Sequence, residues 1–276
     1  MSPGAIPSRP PPPRPGRWGR VVFDVAQFAA FLALVGWFVL EGARTMGYVW
    51  QWNRVPRHLY QVIEGELVWG PLVRGLVVTL EISALAMVLT VVIGLCAAIL
   101  RESGSIVGGA LVRAYVEIVR NTPLLVQMFL FYFVLAPIVG LDRFWTGVVA
   151  LAVFEGAFAA EIFRSGIAAV PKGQWEAAKS LGLPPARVYR HVVLPQALKI
   201  VLPPTTGLMV SLVKHSAIVS VIAVFDLTNE GRNVIADTFM TFEIWITVAA
   251  MYLAVTLVLS GLATLLERRL ARGQAR

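Results

Sequence analysis

Apolar runs separated by short charged stretches set the rhythm of this chain. Six runs, roughly 21–42, 71–100, 115–140, 144–170, 203–227 and 242–265, carry few charges, and each exceeds the ~20 residues that an α-helix needs to cross a hydrocarbon core. The pattern predicts an all-α integral membrane protein of about six transmembrane helices. Between the fourth and fifth runs lies a charged, proline-studded island, KGQWEAAKSLGLPPARVYRHVVLPQA (Lys172–Ala197). Gln174–Leu181 reads as a helix that stops at Gly182, a residue suited to the left-handed cap. Pro184-Pro185 can open a second short helix, and Pro195 is expected to disrupt or bend the chain beyond it. The island is therefore a helix-turn-helix with two short arms. Trp175, Ala178, Leu181, Val188 and Val192 would supply its apolar contacts, with Lys179, Arg187 and Arg190 facing water or a partner.

The remaining segments divide the chain further. Residues 1–20, MSPGAIPSRPPPPRPGRWGR, are too rich in proline to build a helix or a core and are expected to form a flexible cytoplasmic head. Residues 21–70 read as an extra transmembrane helix followed by an outer interfacial segment, where Trp50, Trp52 and Tyr60 stand beside Arg54 and Arg57. That first run exceeds the apolar core of a secretory signal and holds Asp24 and Gln27, so it is read as an uncleaved anchor. Residues 71–267 form the transmembrane core, with the island as loop 171–200, and 268–276 form a cytoplasmic tail. Asn121-Thr122-Pro123 interrupts the third run. Proline there frees the carbonyl four residues back and bends the helix, either as part of a substrate site or as a packing kink.

Composition narrows the class. With 57% hydrophobic and 14% charged residues and a mean hydropathy of +0.73, the chain has little material for a soluble catalytic domain. The net charge of +8 is spread among the loops instead of forming one patch, which argues against nucleic acid. With the head inside, fifteen of the 24 Lys and Arg residues fall on the cytoplasmic side and six on the outer side, so both termini and the island are placed in the cytoplasm. The single cysteine, Cys96, permits no intrachain disulfide and is read as packing; His58, His191 and His215 have no metal-ligand spacing. None of the four lysines follows a glycine, so the chain has no phosphate-binding loop and no cofactor is expected.

Three basic residues, Arg120, Arg164 and Lys214, fall inside spans, where a charge costs about 2.5–3.5 kcal/mol and usually faces a pathway or a partner. Glu117 with Arg120, and Glu161 with Arg164, are spaced i,i+3 on one helix face and can pair internally. Small residues in AAEIFRSG leave open space beside Glu161, and Lys214, too deep in its span to snorkel, can bind a carboxylate or neutralise Glu161. A secondary transporter or channel for polar solutes would use such charges equally well. It would have no need of the island.

The island carries a further pattern: Glu176-Ala177-Ala178, three residues, Gly182, nine residues, then Val192-x-Leu194-Pro195. This resembles the EAA loop of ABC-importer permeases, with Val192 where isoleucine is usual. Tyr115–Phe133, Ala159–Gly182, Val192–Pro204 and Leu212–Ile222 are similar to the polar amino-acid (histidine, glutamine, glutamate) group of those permeases, and the likeness covers about 72–269. The resemblance implies a transport subunit, not an enzyme, in a bacterial inner membrane and its lipid. Its implied partners are an ABC ATPase subunit, a second permease chain, identical or different, and an extracytoplasmic substrate-binding protein. The implied cargo is a polar amino acid, with acidic, basic and amide side chains all open. By the same resemblance, Glu176, Ala177, Ala178, Gly182, Leu194 and Pro195 belong to the loop that docks the ATPase, and Glu161 faces the translocation cavity. Lys214 and Arg120, as charges within spans, and Asn121, at the break in the third run, are further path candidates. Two departures stand out: the extra first span, and Lys214-His215-Ser216-Ala217 where the group usually has Lys-Asp/Asn-Thr/Ser-Ser.

Overall fold

The computed structural model describes residues 17–272, with side chains described as far as Glu267; most of the proline-rich head and the end of the basic tail lie outside the described residues. The chain divides into two units, 1–50 and 51–276. The first is built on α1 (Arg17–Thr45), whose apolar residues, such as Phe23 and Trp37, are exposed, as suits a helix with an apolar surface all round. It starts at Arg17, within the stretch read as a non-helical head, because the last proline is Pro15 and nothing after it opposes a helix.

The second unit opens with a short helix, α2 (Pro56–Leu59), and an antiparallel hairpin, β1 (Tyr60–Ile63) and β2 (Glu66–Trp69), paired Tyr60 to Trp69 and Ile63 to Glu66. Glu64 and Gly65 both have positive φ, 52° and 85°, which makes the two-residue turn that fits strand twist. The rest is helical: α3 (Pro71–Glu102), α4 (Ile106–Arg120), α5 (Leu124–Leu130), α6 (Ala136–Val139), α7 (Arg143–Ala168), α8 (Lys172–Ser180), α9 (Pro185–Val188), α10 (Leu194–His215), α11 (Leu227–Thr238) and α12 (Thr241–Arg272). Among the described residues of the chain, five helical stretches are long and apolar enough to cross a membrane. A sixth is counted if α4 and the α5–α6 stretch, bent by 110°, make one span.

That bend corrects the reading of 115–140 as one run. The break falls at Asn121–Pro123, and side chains take over the carbonyls that the broken helix releases. Thr122 Oγ1 donates to Ile118 O and buried Gln127 Nε2 to Val119 O at 2.8 Å, while Asn121 Nδ2 adds a second bond to Glu117 O, which keeps its backbone donor Asn121 N. Span five also differs from expectation. A π turn at Tyr189–Val193 joins α9 to α10, and a 3-10 turn at Ser216–Ile222 extends it, giving one helical path over Pro185–Ile222. Pro195 does not end the path because the π turn directly before it, closed by Leu194 N donating to Tyr189 O, shifts the hydrogen-bond pattern where its missing N–H would interrupt the helix.

Helix α7 is the centre of the packing. Its buried positions include Gly147, Ala150, Ala152, Gly156, Ala157, Ala159, Ala160 and Gly166, small residues that let neighbouring backbones approach closely, as in membrane helix pairs. A Cβ on Gly94 of α3 would meet Ala159 Cβ at 2.5 Å and its carbonyl carbon at 3.0 Å. Gly94→Ala is therefore expected to force α3 and α7 apart, at about 1–3 kcal/mol. Thermal unfolding of the purified chain in detergent should show a clear fall in Tm. Gly207→Ala, where a Cβ meets nothing within 4 Å, should leave Tm level or raise it; equal Tm for both variants would refute the close contact. At the other end of α3, buried Asp226 caps α11 by accepting from Asn229 N and Thr228 N, and it also accepts from Tyr252 Oη on α12. Burial pushes its carboxyl up to about 6. Cys96, expected in packing, is exposed on α3.

Candidate functional site

The island folds as α8, a turn, and the start of the long α9–α10 path. Its turn is a Schellman cap: Gly182 N donates to Lys179 O at 2.9 Å and Leu183 N to Ala178 O at 3.4 Å, with Gly182 at φ 69°. Ala178, Val188, Val193 and Ala197 are buried with Ile167 and Val170 of the preceding span, and Trp175 meets Tyr189 edge-on at 5.0 Å between ring centres. The island thus has a core of its own, fastened to the end of α7. Glu176 and Ala177 point away from that core and are exposed, and the Glu176 carboxylate makes no ion pair among the described residues. Leu181, read as an apolar contact, is instead 79% exposed. Leu194 and Pro195 line an open apolar cavity of about 780 Å³, together with Val91, Phe163, Ile167 and Val201. The six coupling candidates therefore separate, with Glu176, Ala177 and Gly182 on the surface, Ala178 in the core, and Leu194 and Pro195 on the cavity wall.

The intramembrane charges match the sequence reading at the Glu161–Arg164 pair and depart from it elsewhere. Glu161 accepts from Arg164 Nε at 3.1 Å and Nη2 at 2.9 Å, and its other oxygen is held by Arg101 Nη1 at the end of α3. Lys214 is not among its partners. Glu161 lies about two turns before the end of α7, level with the end of α3, which removes it from mid-span. Glu117 and Arg120 do not pair either. Glu117 accepts from Asn121 Nδ2 at 3.1 Å, and the Arg120 guanidinium lies 5.3 Å from the centre of the Phe158 ring, the better contact for a cation at an exposed helix end.

A group that the sequence reading did not assemble lies on the face of α7 one to two turns before Glu161. Phe154 and Phe158 are 5.3 Å apart, Phe154 meets the His215 ring edge-on at 5.9 Å, and His215 Nδ1 is 2.5 Å from Oε1 of Glu155. Glu155 is 1% exposed, whereas 44% of the His215 side chain is open. Arg120 joins this group through Phe158, and exposed Lys214 precedes His215 in the last turn of α10. Ion pairs of Arg120 or Lys214 do not occur among the described residues. Glu155 is one of two acids within the fourth apolar run, but unlike Glu161 it has no Arg three residues on to single it out. The described residues contain no group of three metal-ligating side chains.

The comparisons bear on the same helices. A family model described as "Binding-protein-dependent transport system inner membrane component" matches residues 70–272. A probable glutamine ABC transporter permease protein of Bacillus subtilis (strain 168), GlnM, is 42% identical over 196 residues, covering 70% of this chain and 90% of the relative. The glutamine transport system permease protein GlnP of Escherichia coli (strain K12) is 37% identical over 202 residues, covering 72% and 92%. Among solved structures, an amino acid ABC transporter crystallised with histidines aligns with a TM-score of 0.68 at 40% identity, covering 72% of this chain and 94% of that one. An inward-facing MetNI methionine ABC transporter, at 24% identity and a TM-score of 0.62, shares the fold. The matched region starts at residue 70 and leaves out α1 and the hairpin.

Proposed function

Because this chain belongs to the family of binding-protein-dependent transport system inner membrane components, we propose that it carries a polar amino acid across the bacterial inner membrane, between α4, α7 and α10. The family fixes the coarser role. The chain is a multi-pass permease subunit of an ABC importer, working with a separate ATPase and a substrate-binding protein, and is itself a transport component, not an enzyme. The cargo is inferred from relatives named for glutamine and for amino acids.

The observation that carries the grip is the island itself: a capped helix with its own small core, fastened to a span and presenting Glu176 and Ala177 outward, the Glu176 carboxylate with no ion pair among the described residues. In this reading Glu176, Ala177, Ala178 and Gly182 form the coupling helix, Leu194 and Pro195 seat it on the membrane core, and both termini are cytoplasmic. A second permease chain completes the pore, and closing of the ATPase pair rocks the two halves so that the path changes sides. Arg120, Lys214 and Asn121 keep their places beside the path, Asn121 through its hold on Glu117. Glu161, gripped by two arginines, acts by bracing the ends of α3 and α7.

The test is uptake into vesicles holding the whole assembly, with unlabelled competitors drawn from all twenty amino acids. Uptake is expected only with ATP inside, and only some amino acids should compete. Uptake that persists without ATP, driven by an ion gradient, would favour a secondary transporter.

A further inference from the structure

The face built by Arg120, Phe154, Phe158 and His215, with Glu155 buried behind His215, has a charge arrangement that selects among amino acids. Its deepest acid, Glu155, is closed off: Oε1 is taken by His215, and at 1% exposure the carboxylate offers little surface to anything entering. The nearby acid on α4, Glu117, is held by Asn121 Nδ2. Two cations remain without an ion pair among the described residues. Arg120 lies over the Phe158 ring, which leaves the edge of its guanidinium plane for other contacts, and Lys214 is exposed beside His215. Charges held within or at the ends of apolar helices are costly unless they meet water or a ligand.

We propose that this face takes an amino acid by its carboxylate and rejects those with cationic side chains, and that the Glu155–His215 pair is what enforces the rejection. The inference rests on the amino-acid reading given above. Arg120 supplies the planar donor set that suits a carboxylate, Lys214 adds positive potential, and the Phe154–Phe158 pair is an apolar wall for an uncharged side chain. A lysine or arginine side chain entering this face meets the like charge of Arg120. The acid able to balance it is already occupied by His215.

The experiment is equilibrium dialysis of labelled glutamine, glutamate and lysine against the detergent-solubilised permease–ATPase complex, without the binding protein, so that the latter's selectivity does not enter. The wild-type complex is expected to retain glutamine or glutamate in preference to lysine. His215→Asp places a second acid beside Glu155 and should raise the relative affinity for lysine about tenfold or more, the worth of one charge-assisted hydrogen bond. His215→Asn uncovers Glu155 without adding charge and should give a smaller gain. Adding Glu155→Gln to His215→Asn should cancel it, which a purely structural role for the pair would not do. Preference of the wild type for lysine, or an unchanged order in both His215 variants at normal complex yield, overturns the proposal. If the wild type binds none of the three while uptake competition identifies another class of cargo, the amino-acid reading itself fails and this inference falls with it.

Discussion

Glu176→Lys is expected to leave the permease inserted in the membrane while abolishing both capture of the ATPase and uptake. Glu176 is exposed at the middle of α8, its carboxylate has no ion-pair partner among the described residues, and the core beneath it is made by Trp175 and Ala178. Reversing its charge leaves that core untouched and changes only what is presented. If Glu176 is an anchor of the interface, its loss costs at least about 2 kcal/mol, a roughly thirtyfold loss of affinity, and a like charge opposite the partner's contacts adds to it. Gly182→Asp should give the same outcome by another route. No atom lies within 4 Å of its missing Cβ, so the substitution creates no clash; it makes an L-residue hold φ 69°, at no more than about 1–2 kcal/mol and less for Asp than for most, loosens the Schellman cap that sets the angle of α8, and adds a charge to the docking surface. Co-purification of the ATPase and ATP-dependent uptake, measured on one preparation, check both variants. Wild-type capture and uptake in both would remove the island from the ATPase contact.

The parts of this molecule that could be read in the sequence are those governed by one strong local rule. Five of the six expected spans contain a helical stretch of suitable length, because lipid leaves an apolar run no cheaper option than a helix. Gly182 could be placed at a helix end because few residues other than glycine take the left-handed conformation readily. The break at Asn121–Pro123 was legible as a bend, but its 110° depends on Gln127 and Thr122 satisfying the opened backbone, which no local rule anticipates. The effect of Pro195 was not legible because it depends on context: the π turn before it absorbs the missing N–H, and the helical path runs on. The hairpin at Tyr60–Trp69 escaped notice since all of its strand residues are exposed, so no buried face imposes alternation.

The charges show the same division between local spacing and tertiary placement. Spacing of i,i+3 made Glu117–Arg120 and Glu161–Arg164 equivalent, yet one pair forms and the other does not. What separates them is the neighbourhood of each arginine, Phe158 beside Arg120 and Arg101 across from Glu161. The Glu155–His215 contact joins residues sixty positions apart and could not be inferred from either run alone.

Glu161→Gln is expected to lower the yield of assembled complex sharply, and the reason lies in what Glu161 holds. Its two oxygens bind two arginines on two helices, Arg164 one turn further along α7 and Arg101 at the end of α3. Glutamine keeps the shape and removes the charge, leaving two cations of similar depth facing each other. Breaking a fully buried pair costs about 3–5 kcal/mol; the three side chains are 24–33% exposed, so about 2–3 kcal/mol is the better expectation. The strain falls near the end of α7 to which the island is fastened through Ile167 and Val170, so docking should weaken along with stability. Adding Arg101→Gln to Glu161→Gln should recover part of the loss, because it removes one of the two stranded charges, whereas unrelated sites would simply add. Complex yield, Tm in detergent and amino-acid-stimulated ATP hydrolysis separate the two roles open to this residue. Lost yield with partial rescue identifies a brace between α3 and α7. Intact yield with an altered response to amino acids would return Glu161 to the substrate path, and would require the arginines to release it when cargo arrives.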